Sequence, residues 1–155
     1  MHLFDLPKTP AFSDLEQAAR DRILILDGAM GTQIQALGFD EEDYRGKGGQ
    51  PCEHPTDLPQ KGNNDLLILT QPRALEDIHY RYAMAGSDIV ETNTFSSTTI
   101  AQADYGLEAA VHDLNAEGAR VVRRALDRAT AEDGRPRWVA GAVGPTNRTA
   151  SMSPD

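Results

Sequence analysis

The chain has 155 residues, with 39% apolar and 25% charged residues, which is room for one domain of ordinary size and typical of a soluble globular protein. Its formal net charge of −9 disfavours nucleic acid as a partner, because an acidic surface repels phosphate backbones. No apolar run reaches the roughly 20 residues that span a bilayer, so we expect no membrane partner.

The N-terminus and the cysteine content indicate a compartment. The opening sequence MHLFDLPKTPAF lacks the basic start and the long apolar stretch of a signal peptide. Cys52 is the single cysteine, so no intrachain disulfide can form. We therefore expect a cytoplasmic protein.

Short patterns predict the first elements along the chain. Residues 13–16 read Ser-x-x-Glu, a capping-box pattern that predicts a lead-in helix over residues 13–21 with its N-cap at the serine. The apolar run at residues 23–26 predicts a buried strand that ends in an Asp-Gly turn. Residues 32–37 are predicted to form a short helix that ends at Gly38.

The middle of the chain changes character and then returns to regular patterns. Residues 39–65 are rich in glycine, proline and charge and have no apolar period, which predicts a long surface excursion of the kind that is usually functional or disordered. Beyond it we predict a helix at 72–85, a strand at 88–95, a helix at 107–131 and a strand at 138–143.

The order of these elements predicts the fold class. Strands that alternate with helices form parallel βαβ units, and near-continuous apolar strands are typical of a sheet that helices cover. The sequence therefore predicts an α/β fold with a parallel sheet. Composition and periodicity do not separate a closed barrel from an open, doubly wound sheet.

Polar residues and glycines that a core does not require follow or close each predicted strand. They are DGAMGT at residues 27–32, ETNT at 91–94 and GPTNR at 144–148. Ligand sites of parallel α/β folds form at the carboxyl edge of the sheet, so we expect Asp27 and Glu91 to converge on one mouth. Two carboxylates beside exposed backbone amides suit a zwitterionic small molecule, whose ammonium and carboxylate groups they would bind.

These residues also have simpler interpretations. The dipeptide Asp27-Gly28 alone is more often a plain turn. Glu91 within an apolar strand favours a functional role, because a buried and unpaired carboxylate is costly. The glycines at 28–31 lack the G-x-G-x-x-G spacing, and no P-loop lysine follows them, which disfavours phosphate binding.

A metal site is the other candidate that the sequence raises. Cys52 and His54 lie one residue apart in the predicted loop, whereas a zinc site needs three or four ligands at recognisable spacing. The remaining histidines are scattered along the chain. The arginines at 120–128 are best interpreted as the solvated face of a helix. We therefore expect no metal to be bound by this chain alone.

Four stretches of the sequence resemble, in order, consecutive motifs of the homocysteine-binding module of cobalamin-dependent methionine synthase. They are ILDGAMGTQIQ, KGNNDLLILTQP, AGSDIVETNTFSSTTIAQADYG and VAGAVGPTNRTASMSPD. The resemblance covers about residues 23–155, which are predicted to be an incomplete barrel domain, and leaves residues 1–22 as a lead-in segment. Betaine-type homocysteine methyltransferases share the Asp-Gly turn and a TFTF-like second strand, but they are less similar through STTIAQADY and GPTNRTAS.

The resemblance implies a (βα)8 TIM barrel, of which this chain would form the N-terminal portion, the first three βα units. It also implies that homocysteine binds at the top of the barrel with its thiol held by zinc, which converts the thiol into a nucleophilic thiolate. The methyl group would come from methylcobalamin on a separate module, recharged by methyltetrahydrofolate on another. The implied partners are therefore homocysteine and the remaining modules of the full-length enzyme.

Carried onto this sequence, the resemblance implies that one set of residues contacts the amino-acid part of the substrate: Asp27, Gly28, Ala29, Met30, Glu91, Thr92, Asn93 and Gly144. The family's zinc ligands are three cysteines on later strands, and Cys52 matches none of them. We expect a truncated product that is inactive alone, with zinc and cobalamin bound only in the complete enzyme. Two alternatives stay open, a non-catalytic homocysteine-binding module and a fragment of a betaine-type homocysteine S-methyltransferase.

Overall fold

A computed structural model of the chain describes residues 8–146, which form a mostly helical α/β arrangement with a small parallel sheet. The helices are α1 (Pro10–Asp21), α2 (Met30–Leu37), α3 (Glu41–Tyr44), α4 (Leu67–Thr70), α5 (Pro72–Ala85), α6 (Thr99–Gln102) and α7 (Val111–Asp133). The strands are β1 (Ile89–Glu91) and β2 (Trp138–Ala140). Single 3-10 turns lie at Asn64–Leu66, Ala103–Tyr105 and Glu108–Ala110.

The sheet is parallel, as the sequence predicts. β1 pairs with β2, with Ile89 opposite Trp138. Residues 25–27 lie along the other edge of β1, where Leu26 forms an isolated parallel bridge with Ile89 and the amide of Asp27 donates to the Ile89 carbonyl at 3.0 Å. The order across the sheet is therefore residues 25–27, then β1, then β2.

The predicted buried strand at residues 23–26 is wrong in two respects. Only a single bridge forms there, and Ile23 and Ile25 are 89% and 55% exposed. The segment pairs along one edge, and its apolar side chains belong to neither core cluster of the described residues. The predicted strands at 88–95 and 138–143 are likewise shorter in the structure, at three residues each.

Helix α1 begins three residues before the predicted start. Thr9 is its N-cap, with a side chain that accepts a hydrogen bond from the Phe12 amide at 3.3 Å, and Pro10 occupies the first turn. Proline suits that position because its missing N–H would have no partner there. The predicted cap at Ser13 is therefore wrong, since Ser13 lies inside the helix.

Helices α5 and α7 pack against each other and supply many of the buried apolar side chains. The predicted helix at 72–85 is confirmed at both ends, and Gly86 ends it with a φ of 119°. The predicted helix at 107–131 begins later, because residues 108–110 form a 3-10 turn before α7. The buried side chains of these two helices include Leu75, Ile78, Leu114 and Val121.

The predicted excursion at residues 39–65 is ordered by polar contacts. Helix α3 has a capping box between Asp40 and Asp43. The carboxylate of Glu41 accepts hydrogen bonds from the amides of Gln60 at 2.9 Å and Lys61 at 2.7 Å. These contacts join the start of the loop to its end. Apolar periodicity does not detect them, because the partners are backbone amides.

Candidate functional site

A cavity of about 510 Å³ is lined by residues at the carboxyl ends of residues 25–27 and β1. This volume lies within the range of small-molecule sites. Seven of the eight predicted site residues line it: Asp27, Gly28, Ala29, Met30, Glu91, Thr92 and Asn93. The structure therefore brings these residues together, while their contact with a substrate stays a prediction.

The first wall of the cavity is formed by residues 27–31, and Asp27 joins it to the sheet. Its Oδ1 accepts a hydrogen bond from the Glu91 amide at 3.0 Å. Burial raises the pKa of the Asp27 carboxyl above its usual value, the Glu91 amide opposes this shift, and the negative charge of Glu91 adds to it. The two carboxylates are thus close enough to repel each other, so a cation placed between them would be stabilised.

Glu91 is exposed, which differs from the expectation of a buried carboxylate in an apolar strand. β1 ends at Glu91, and alternation along the strand directs Val90 into the core and Glu91 away from it. Among the described residues none donates a hydrogen bond to the Glu91 carboxylate. Glu91 lies at the end of β1 and lines the cavity.

The N-terminus of α2 contributes backbone amides to the same cavity. Ala29 is the N-cap of this helix and makes no side-chain capping bond. The first amides of a helix have no partner within it and carry a partial positive charge. Since residues 28–31 line the cavity, an anionic group there would find donors beside the two carboxylates.

The second wall, formed by residues 62–65, contains residues that were not predicted from the sequence. Asn63, Asn64 and Asp65 line the cavity, and Asp65 is only 5% exposed. Burial raises the pKa of the Asp65 carboxyl, while hydrogen bonds from Ser97 and Ser96 act in the opposite direction. In the sequence these residues lie in KGNNDLLILTQP, one of the stretches that carry the family resemblance, but a run of three polar residues before an apolar helix is also typical of a simple loop.

Thr92 joins the end of β1 to the chain beyond β2, and Asn93 joins it to the second wall. Thr92 Oγ1 accepts a hydrogen bond from the Ala142 amide at 2.9 Å, and Asn93 Nδ2 donates to the Asn64 carbonyl at 2.8 Å.

Gly144 lies outside the lining and donates its amide to the Phe95 carbonyl at 3.1 Å. A Cβ at Gly144 would collide with that carbonyl oxygen. The predicted residues 147 and 148 lie outside the described residues.

The described His, Cys, Asp and Glu side chains do not form a metal site. Within residues 8–146, no group of three or more His, Cys, Asp or Glu side chains is arranged to hold one. Cys52 accepts a hydrogen bond from the His54 amide at 3.4 Å, and the His54 ring pairs with Asp113 at 2.9 Å, away from the cavity lining. These residues do not fit zinc. In the same part of the chain, no helix has the length and apolar character of a membrane span.

Comparison with known proteins agrees with this architecture. Two crystal structures of the homocysteine methyltransferase MmuM from Escherichia coli are similar to the chain. The metallated form matches with a TM-score of 0.65 at 24% identity, and the oxidized form with a TM-score of 0.64 at 27% identity. The matches cover 84% and 83% of this chain but 41% and 40% of the MmuM chain, so this chain spans about two-fifths of the length of those structures.

The first of these matches, at 24% identity, supports the fold alone. The sequence comparison identifies the family, since the family model for homocysteine S-methyltransferase matches residues 24–155. That range includes both walls of the cavity and most of the chain. The chain therefore belongs to the homocysteine S-methyltransferase family.

Proposed function

We propose that this chain binds the amino-acid end of homocysteine within a homocysteine S-methyltransferase site. The observation that carries the proposal is the placement of Asp27 and Glu91 in one cavity with the uncapped N-terminus of α2. The two carboxylates would accept hydrogen bonds from the substrate ammonium. The amides at residues 28–31 would bind the substrate carboxylate.

The electrostatics of the cavity support this orientation. The charge of Glu91 contributes to the raised pKa of Asp27, and an ammonium group would offset that repulsion. Binding should therefore lower the pKa of Asp27 and favour its ionised form. Held at both charged groups, homocysteine would have its side chain directed away from these contacts, which leaves the thiol free to react.

The reaction of the family is the transfer of a methyl group to the homocysteine thiol. A sulfur–carbon bond forms, the bond between the methyl group and its donor breaks, and the thiol loses its proton. The described residues do not form a zinc site. We therefore propose zinc and cobalamin only as parts of a complete enzyme, held by residues outside 8–146, and assign this chain the binding and orientation of the substrate.

We also propose that residues 25–27, β1 and β2 are the first three strands of a (βα)8 barrel within a domain that begins near residue 23. Adjacent parallel strands in sequence order, with α5 and α7 in the connections, fit the start of such a barrel. The similarity of fold to MmuM supports the same interpretation.

The motifs favour the cobalamin-dependent methionine synthase branch, whose methyl donors are methylcobalamin and methyltetrahydrofolate. The stretches STTIAQADYG and GPTNRTAS carry this preference, while the MmuM matches are equally compatible with a betaine-type enzyme. Assays of the full-length protein with methylcobalamin, methyltetrahydrofolate or betaine would separate the two branches. Turnover with betaine alone would contradict the methionine synthase proposal.

The binding proposal is tested by titration calorimetry of L-homocysteine into the full-length protein. Asp27→Asn and Glu91→Gln keep the shapes of the side chains and remove their charges. Loss of one charge-assisted contact costs roughly 1.5–3 kcal/mol, so each variant should bind about tenfold to hundredfold more weakly. Glu53→Gln removes a charge from an exposed loop residue outside the cavity lining and should bind like the wild type.

A second ligand makes the assignment of the ammonium contact sharper. 4-Mercaptobutanoic acid lacks the amino group of homocysteine but keeps its carboxylate and thiol. The wild-type protein and the two cavity variants should bind this ligand with similar affinity. Unchanged homocysteine affinity in both variants, or an equal loss for both ligands, would contradict the proposed orientation.

A further inference from the structure

We infer that Asp65 is a positioning residue of the homocysteine site, whose carboxylate fixes the cavity wall formed by residues 93–96. The inference rests on the proposed function and adds a residue to the same site. Asp65 lies in the 3-10 turn at Asn64–Leu66, and the two residues that follow it, Leu66 and Leu67, are fully buried. The carboxylate is therefore attached to a rigid part of the core.

Both side-chain hydrogen bonds of Asp65 come from residues 96 and 97, at the end of this wall. Oδ2 accepts hydrogen bonds from the Ser96 amide at 2.8 Å and from Ser97 Oγ at 2.7 Å. Asp65 and Ser97 are 5% and 4% exposed. Hydrogen bonds to an ionised acceptor are shorter and stronger than neutral ones, and burial of the carboxylate limits the access of water to these two bonds.

Neutral hydrogen bonds join the same two segments on either side of Asp65. Asn93 Nδ2 donates to the Asn64 carbonyl at 2.8 Å. Gln102 Nε2 donates to the Ser96 carbonyl at 3.2 Å and to Asn63 Oδ1 at 3.1 Å. The wall is thus connected to residues 63–65 along its length, and Asp65 provides the one carboxylate among these described contacts.

The wall that Asp65 holds continues directly from Glu91, the residue that would meet the substrate ammonium. If Asp65 loses its carboxylate, the Ser96 amide and the buried Ser97 hydroxyl lose their acceptor, which is unfavourable. The turn would then move toward water, and residues 93–96 would leave the position that closes the cavity. Homocysteine affinity should fall even though Asp65 itself does not bind the substrate.

Two substitutions separate this role from direct contact with the ligand. In Asp65→Asn, the side-chain carbonyl oxygen can still accept both hydrogen bonds, although the charge is gone. In Asp65→Ala both bonds are lost. In the full-length protein, we expect Asp65→Ala to weaken L-homocysteine binding by about tenfold or more, as the loss of two hydrogen bonds to a buried carboxylate implies, and Asp65→Asn to restore affinity to within about threefold of the wild type.

Further variants control for loss of stability. Ser97→Ala removes one of the two donors and should give an intermediate loss of affinity. Leu126→Ala lies in the second core cluster and should lower the free energy of unfolding without a change in affinity. Wild-type affinity in Asp65→Ala would overturn the inference, and so would an Asp65→Asn variant that binds as weakly as Asp65→Ala, since the charge would then act on the ligand itself.

Hydrogen exchange without ligand gives a readout that does not depend on the proposed function. The Ser96 amide should exchange faster in Asp65→Ala than in the wild type, while Asp65→Asn should retain its protection. Unchanged exchange in Asp65→Ala would overturn the positioning role whatever the binding data show. A wild-type protein that fails to bind homocysteine would contradict the proposed function and leave the exchange result to decide the role of Asp65.

Discussion

Acidification should destabilise the protein through His79, which lies on the buried face of α5. His79 is 1% exposed, and its Nδ1 has no hydrogen-bond partner among the described residues. Burial lowers the pKa of His79 from 6.5 to about 4. Between these two pH values the unfolded chain binds a proton at this residue and the folded chain does not.

The sign and size of the effect follow from this difference in pKa. The contribution of His79 to stability is fully present above pH 6.5 and is lost as the pH falls toward about 4. At about 1.36 kcal/mol per pH unit, the full loss is about 3 kcal/mol, of which roughly 2 kcal/mol is already lost at about pH 5. This is a large part of the stability of a typical domain.

Urea denaturation followed by circular dichroism at about pH 7.5, 6 and 5 measures this loss. His79→Leu removes the titrating group and keeps a similar volume, so its free energy of unfolding should fall less with pH, by roughly 2 kcal/mol at about pH 5. Ile78→Val, in the adjacent buried position, should lower stability by about 0.5–1.5 kcal/mol at every pH. Equal pH slopes in wild type and His79→Leu would refute the reasoning.

Three other substitutions test contacts that support the fold. Gly118→Ala should lower the urea midpoint, because the added Cβ would lie 2.6 Å from Thr94 Cγ2. Asp88→Asn should lower the free energy of unfolding at neutral pH by about 1–3 kcal/mol, because it breaks the fork of two 2.8 Å bonds from Arg22 to a buried carboxylate. Glu41→Gln should speed limited proteolysis of the loop after α3, since its carboxylate accepts two backbone amides there.

The sequence predicts elements well where the signals are local. Helix α5 has a proline in its first turn, an apolar stripe and Gly86 at its end, and its predicted bounds are confirmed. The segment at residues 23–26 has an apolar run and nothing that reports its neighbours. A strand is buried or exposed according to what covers it, so composition alone gave the wrong burial for Ile23.

The same distinction between local and distant signals applies to the candidate site. Asp27 and Glu91 could be placed together because parallel strands end at the same edge of a sheet. Asp65 could not be assigned, because its partner Ser96 lies 31 residues further along the chain. Nothing within a few residues of either position signals such a pairing. The loop closure by Glu41 was missed for the same reason, with its partner amide 19 residues away.

The three carboxylates of the cavity differ in what the protein already supplies to them, and this difference assigns their roles. Asp65 is buried and accepts two hydrogen bonds from the chain, so a ligand would have to displace contacts that hold the wall. Glu91 is exposed and accepts none from the described residues, so a ligand displaces only water. Asp27 lies between these limits, with one backbone donor and a charge that Glu91 makes less favourable. An ammonium group is therefore stabilised most by Asp27 and Glu91, whereas Asp65 is best suited to hold the wall formed by residues 93–96.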